Sequence, residues 1–211
     1  QGGVGPWARR VSGASASSAD HEVGRLTPGA TAWAARAAVA LLLVVAALAL
    51  VDAARGDSAT WDEPCYVGSG LVMVDEGDLR WNYEHPPLHK WLVGQVLNRT
   101  AVARPAAWDG SVECYGYGVA TMTTPPNEPG GVVNRARGLT IALTLATGLV
   151  VYAFARDLFG SRGAGVGALV VYVVTPDVLA HGHLATHDLL LAGALVIASM
   201  FRPDRSNRRY A

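Results

Sequence analysis

Residues 37–51, AAVALLLVVAALALV, form an unbroken run of 15 uncharged apolar residues. With the flanks from Trp33 to Ala54, the run reaches the ~20 residues that cross a bilayer as a helix. Half of the whole chain is hydrophobic (51%) and only 16% is charged, which is more typical of membrane proteins than of soluble domains. We therefore predict a first transmembrane helix at about 34–54. A cleaved signal peptide is the alternative.

Three further apolar segments follow a long polar region. They predict transmembrane helices at about 137–156, 163–180 and 185–201, so the expected fold is an all-α polytopic membrane protein with about four spans. The last two runs are short for a span, and a re-entrant pair that does not cross remains the alternative. Residues 1–32, rich in Gly, Ser and Ala, are expected to be a disordered cytoplasmic tail, and 202–211 an Arg-rich cytoplasmic end.

Charge predicts the orientation. Arginines cluster before the first helix, after the second and at the end of the chain, so the positive-inside rule puts these segments in the cytoplasm. The acidic segment 55–135 then becomes a large extracytoplasmic loop. Within it, Leu88, Leu92 and Val96 recur at helical spacing beside Trp91, which indicates an amphipathic helix at the membrane interface.

Several function classes are excluded by composition. The formal charge is zero, from 17 basic and 17 acidic residues, and no nucleic-acid partner is expected. The chain has two cysteines, Cys65 and Cys114, too few for a disulfide-dense scaffold or a four-cysteine metal site. Both lie in the predicted outer loop, where they either form a disulfide or remain two buried free thiols.

Two candidate sites lie in this loop. Asp62 and Glu63 could act as a general base or a cation ligand just above the bilayer, or could belong to a solvated acidic loop. The second, Asn-Tyr-Glu-His-Pro-Pro-Leu-His-Lys at 82–90, is stiffened by its two prolines. Its Lys90 is the only lysine and predicts either a phosphate contact or ordinary snorkelling.

The third candidate is His-Gly-His-Leu-Ala-Thr-His-Asp at 181–188. Its imidazoles and carboxylate could bind a transition metal, with His183, His187 and Asp188 as weak candidates, although the spacing matches no familiar zinc site. Asp188, at the end of a membrane helix, is a functional candidate by position. Arg137, at the start of the second helix, either faces an anionic head group or anchors the helix. Because both polar regions are expected outside the cytoplasm, they should face each other.

The order of these motifs resembles a known family. The Asp62-Glu63 pair, Gly-Asp-Leu at 77–79, Glu-His-Pro-Pro-Leu-x-Lys at 84–90, Asn134 to Arg137, and the segments 155–160 and 175–188 are similar to the start of polyprenyl-phosphate-dependent glycosyltransferases. These belong to the C-type superfamily, with protein O-mannosyltransferases and the aminoarabinose transferases of lipid A. The resemblance covers roughly residues 34–201.

The resemblance implies a multi-pass cell-membrane enzyme. It would transfer mannose or a related pentose from a dolichyl- or undecaprenyl-phosphate donor to an extracytoplasmic acceptor, such as protein Ser/Thr, a lipid or a glycan. By analogy Asp62 is the catalytic carboxylate, with Glu63 beside it. The donor phosphate and substrate would be bound by Glu84, His85, Lys90, Arg137 and Asp188. Whether a divalent cation, Mg²⁺ or Mn²⁺, takes part is left open.

This chain departs from the family in two ways. His187 stands where the family usually has Thr, and family members continue through many more helices. Residues 33–201 therefore resemble the N-terminal part of a glycosyltransferase transmembrane domain, and the 211-residue chain is expected to be inactive alone. The rival hypothesis is a small transporter or assembly subunit that binds a metal or proton through its His/Asp segment.

Overall fold

The computed structural model describes residues 28–106 and 113–200, and within these ranges all regular structure is helical. The predicted all-α fold is confirmed to that extent. The predicted end segment 202–211 lies outside the described residues, as does most of the predicted tail; residues 28–32, assigned to that tail, belong to the first helix. The helices are α1 Pro28–Gly56, α2 Asp62–Asp75, α3 Pro87–Arg99, α4 Cys114–Thr123, α5 Pro129–Phe159, α6 Arg162–Val174, α7 Pro176–His181 and α8 Asp188–Met200.

Among the described residues, two helices, α1 and α5, are long and apolar enough to cross a membrane. They contain 29 and 31 residues, about 44 and 46 Å at 1.5 Å per residue, against a hydrocarbon core of about 30 Å. Only 17% of the most apolar part of α1 is buried. Leu41 and Leu48, for example, are 64% and 67% exposed, as expected of a helix facing lipid rather than a protein core.

The second predicted helix begins earlier than expected, at Pro129 rather than near 137. Proline is favoured in the first helical turn, where its missing N–H costs nothing. Residues 129–136 lack the apolar character of a membrane span, but Val132, Val133 and Ala136 are buried against the loop helices. Helix α5 therefore extends beyond its apolar part, and it ends at Gly160, which adopts a left-handed conformation with φ 61°.

In the structure, the third predicted helix, 163–180, is divided into two helices, α6 and α7. It divides at Thr175 because Pro176 cannot donate the backbone hydrogen bond that would continue α6. The fourth, predicted at 185–201, starts only at Asp188, because residues 182–187 form turns. Helices α6 and α8 have 13 residues each, about 20 Å, and are too short to cross the hydrocarbon core as they stand.

The predicted outer loop folds into a three-helix unit, here called the cap, made of α2, α3 and α4. It packs on α5 around Val132, Val133 and Ala136, and α1, α6 and α8 also pack on α5. The shared core of cap and α5 includes Val67, Leu71, Val93, Leu97, Met122, Val132 and Val133. Helix α3 buries Val93 and Leu97 against the rest of the cap, whereas Leu88 and Trp91, on the face predicted to lie at the membrane interface, are exposed; the interfacial location stays a prediction.

Glycines set the spacing within the cap. Gly70 of α2 lies against Gly94 of α3, and a Cβ on either would overlap the backbone of the other helix. Gly68, on another face of α2, meets Gly118 of α4 in the same way. Cys65 and Cys114 form a disulfide between α2 and α4, which settles the alternative left open by the sequence.

Candidate functional site

Polar side chains from three distant segments meet around Tyr66 of α2. We call Asp62, Tyr66, Glu84, His85, His187 and Asp188 the Tyr66 cluster. Asp62 and Tyr66 are four residues apart on α2 and therefore share one face. His85 lies just before the two prolines that lead into α3, and His187 just before α8.

The closest contact in the cluster joins segments that are 121 residues apart. The Tyr66 hydroxyl lies 2.7 Å from Nδ1 of His187. The rings of His85 and His187 lie 4.9 Å apart, and each is within 6 Å of the Tyr66 ring. The expectation that the acidic loop and the 181–188 segment face each other is confirmed by these contacts.

Three exposed carboxylates surround the pair. Burial raises the pKa of the Tyr66 phenol, and the charges of Asp62, Asp188 and Glu84 raise it further. Burial also lowers the pKa of His187, against the opposing effect of Asp188. Tyr66 therefore stays protonated and shares this hydrogen bond with Nδ1 of the His187 imidazole, whose Nε2 lies 3.9 Å from Asp188.

Asp62 is the carboxylate best placed to react. It is exposed at the start of α2, and it makes no hydrogen bond with any described residue. Asp188 is 56% exposed and accepts a hydrogen bond from Thr186. Glu84 is exposed and accepts one from the Asn82 side chain. All three carboxylates are open to a ligand.

Glu63, by contrast, is fully buried in an ion pair with Arg137. The two carboxylate oxygens each accept a 2.8 Å hydrogen bond from the guanidinium, and the backbone N–H groups of Thr60 and Ala185 also donate to them. Burial alone would raise the pKa of Glu63, but these hydrogen bonds lower it below its ordinary value. Glu63 is thus held away from the exposed face that Asp62 occupies.

Arg137 has no donor left for a phosphate. Its remaining N–H groups bond the carbonyls of Ala54, Asp57 and Ser58 at 2.7–2.8 Å, so all five donors are engaged. These carbonyls lie at the C-terminal end of α1, where a cation is electrostatically favoured. The predicted phosphate contact gains no support here; the contacts describe a structural link between α1, α2 and α5.

Lys90 also differs from both alternatives that its sequence suggested. Only 1% exposed, it neither snorkels to a surface nor faces an open pocket. Its ammonium donates to the carbonyls of Trp81 and Asn82 and to the Asn82 side chain. Burial lowers its pKa, against the attraction of Glu84. In this position it supports the 81–85 turn that presents Glu84 and His85, and a phosphate could reach it only by displacing those carbonyls.

The proposed metal ligands do not converge. His183 is directed at Asp57, with Nε2 2.9 Å from the carboxylate, and not at His187 or Asp188. Across residues 28–106 and 113–200, no group of three or more His, Cys, Asp or Glu side chains is arranged to hold a metal ion. His183 is therefore not brought together with His187 and Asp188, although those two side chains lie 3.9 Å apart.

Sequence reasoning missed Tyr66 and His89. His89 is buried beneath the cluster, where its ring meets Tyr66 edge-on and its Nε2 lies 3.2 Å from Thr140. Burial, with the nearby His187, lowers its pKa to about 4. The four-residue spacing from Asp62 could have identified Tyr66, whereas nothing in the sequence distinguishes His89 from the exposed residues beside it.

The Tyr66 cluster can therefore exchange protons through its exposed carboxylates, which lie around the Tyr66–His187 pair. Comparison of the chain with protein-family models, with curated proteins and with solved structures found no match.

Proposed function

We propose that this protein is a glycosyltransferase that uses a polyprenyl-phosphate-linked sugar as donor and an extracytoplasmic acceptor. The observation that carries the proposal is Asp62, an exposed carboxylate without a hydrogen-bond partner among the described residues, beside the Tyr66–His187 pair and two further carboxylates. The motif order supports the choice of reaction. A neighbouring long apolar surface on α1 and α5 suits a substrate whose carrier lies in lipid.

In the proposed reaction, Asp62 accepts the proton of an acceptor hydroxyl. The hydroxyl oxygen attacks the anomeric carbon, the bond from that carbon to the phosphate oxygen breaks, and polyprenyl phosphate leaves with the electron pair. Attack opposite the phosphate inverts the anomeric centre. The neighbouring imidazoles of His85 and His187 would donate hydrogen bonds to the leaving phosphate, and Glu84 and Asp188 would bind sugar hydroxyls.

We further propose four membrane crossings, with the cap outside the cytoplasm of a cell-membrane protein. Thr31, Arg156 and Arg162 line one recess at the far end of the bundle, so the start of α1 and the α5–α6 turn lie together. The basic residues there suit the cytoplasmic face. Helices α6 and α7 together, bent at Pro176, would form the third crossing, and the short α8 the fourth.

The proposal is tested with Asp62→Asn in the full-length native protein, reconstituted with polyprenyl-phosphate sugars. We expect transfer to fall at least about 100-fold, as for removal of a general base, with unchanged expression and folding. Glu76→Gln, an exposed acid in the same cap, is the matched control and should leave transfer intact. Normal transfer by Asp62→Asn would rule out the assigned role.

A different pattern would favour the transporter hypothesis. If Asp62→Asn were silent while His187→Ala abolished a proton- or metal-dependent flux, the 181–188 segment would be the functional element. Its histidines are separated as described above, and for that reason we favour glycosyl transfer.

A further inference from the structure

A stacked aromatic pair stands beside Asp62 on the outer surface of the cap. The rings of Trp61 and Tyr115 lie 4.3 Å apart at an interplanar angle of 19°. Trp61 is 75% exposed, so the stack covers only part of the indole and leaves a large apolar plane open. We call this pair the aromatic platform. No function assigned above uses it.

The platform is held in a defined position. Tyr115 directly follows Cys114, whose disulfide to Cys65 attaches α4 to α2. The Glu113 carboxylate accepts a 2.8 Å hydrogen bond from the backbone N–H of Tyr115 and so fixes the start of α4. Trp61 immediately precedes α2. A large exposed side chain that is held this firmly loses little entropy when a ligand covers it.

The surroundings of the platform are acidic. Asp62 follows Trp61 in the chain, and Glu113 lies two residues before Tyr115. Negative charge beside the aromatic plane disfavours an anionic lipid head group. It favours a ligand that has hydroxyl groups to donate to a carboxylate and an apolar C–H face to place on a ring, because aromatic faces carry partial negative charge.

We propose that the aromatic platform binds a sugar ring of the acceptor, so that the acceptor is a glycan. One ring of the glycan stacks on Trp61, and its hydroxyl points to Asp62. This assignment deepens the proposed function and rests on it. An extended peptide would instead need backbone hydrogen-bond partners along a groove, whereas the platform offers one plane and one carboxylate.

The test measures binding and needs no donor. The full-length native protein in nanodiscs of neutral lipid is titrated with mannotriose, with an arabinose trisaccharide and with a Ser/Thr-rich peptide, and ligand saturation-transfer NMR is recorded. We expect at least one trisaccharide to bind. Trp61→Ala and Tyr115→Ala should weaken that binding on the order of tenfold.

Trp33→Ala is the matched control, because Trp33 is 70% exposed on α1, outside the cap; it should bind sugar as the unaltered protein does. Trp61→Phe, which keeps an aromatic ring, should restore part of the affinity lost in Trp61→Ala. Binding of the peptide alone, binding of neither probe, or sugar binding that Trp61→Ala leaves unchanged would overturn the proposal. Sugar binding without any transfer activity would retain the platform and reject the reaction.

Discussion

At the scale of single residues, the most constrained contact is the one between Glu63 and Arg137. The two side chains are 0% and 1% exposed, and together they join the end of α1, the start of α2, α5 and the turn before α8. The exposed Asp62 and the buried Glu63 are adjacent in sequence yet opposite in role. Asp62 is open to a ligand, whereas Glu63 holds together the helices that position Asp62.

Removal of the Arg137 charge should destabilise the protein strongly. Arg137→Gln leaves Glu63 buried without a cation, which costs about 3–5 kcal/mol, and also frees the α1 carbonyls. Thermal unfolding in detergent measures the effect. Arg135→Gln, an exposed arginine two residues earlier on the same helix, should unfold like the unaltered protein. Equal unfolding temperatures for the two variants would contradict the structural role given to Arg137.

The same pair predicts a pH dependence. Since the folded-state pKa of Glu63 is lowered, its ionisation contributes stability above the ordinary carboxyl pKa, and this contribution is lost as pH falls through the folded-state pKa. The difference in unfolding temperature between the unaltered protein and Glu63→Gln should be largest near neutral pH and shrink towards about pH 3. A difference that stays constant over this range would mean that the Glu63 charge contributes nothing.

These residues also show which features of the site the sequence does not predict. The Asp62-Glu63 motif predicts two candidate carboxylates, but the difference in exposure between them depends on Arg137, 74 residues away. The burial of Lys90 against Trp81 and Asn82 cannot be predicted from its motif, because a motif does not reveal which way its side chains point.

At the scale of elements, the cap depends on close contacts at four glycines. Helix α2 approaches α3 and α4 at Gly68, Gly70, Gly94 and Gly118, where an added Cβ would overlap the backbone of the neighbouring helix. The segment 55–135 looked like a polar loop because its helices are short and carry glycine. The long apolar runs predict the central parts of α1 and α5, and the polar first turns of α5 lie outside such a run. Pro176 divides the predicted 163–180 helix into α6 and α7.

Gly94→Ala should separate α3 from α2. Its methyl group would overlap the Gly70 carbonyl, and backbone cannot move aside as a side chain can, so we expect a loss of about 1–3 kcal/mol or more. Gly138→Ala is the control, since nothing lies within 4 Å of its Cβ position, and alanine there should stabilise α5 by up to about 1 kcal/mol. Equal stability of both variants would contradict the tight α2–α3 contact.

At the scale of the whole molecule, the question is how many times the chain crosses the bilayer. Both cysteines of these 211 residues form the disulfide, so an added cysteine is the free thiol to be labelled within them. With four crossings, Glu76→Cys and His181→Cys should react with an impermeant maleimide from outside, and Asp157→Cys only after permeabilisation. Reaction of His181→Cys only after permeabilisation, together with Asp157→Cys, would contradict the four-span proposal.

The Arg137 contact has a consequence for biosynthesis. When α1 and residues 60–63 leave the ribosome, the carbonyls at the end of α1 and the Glu63 carboxylate lack the Arg137 guanidinium, which is made 74 residues after Glu63. The backbone N–H of Ala185, which also donates to Glu63, is made later still. The disulfide joins residues only 49 apart and can form first. The disulfide of the cap would then form before α5 packs against the cap.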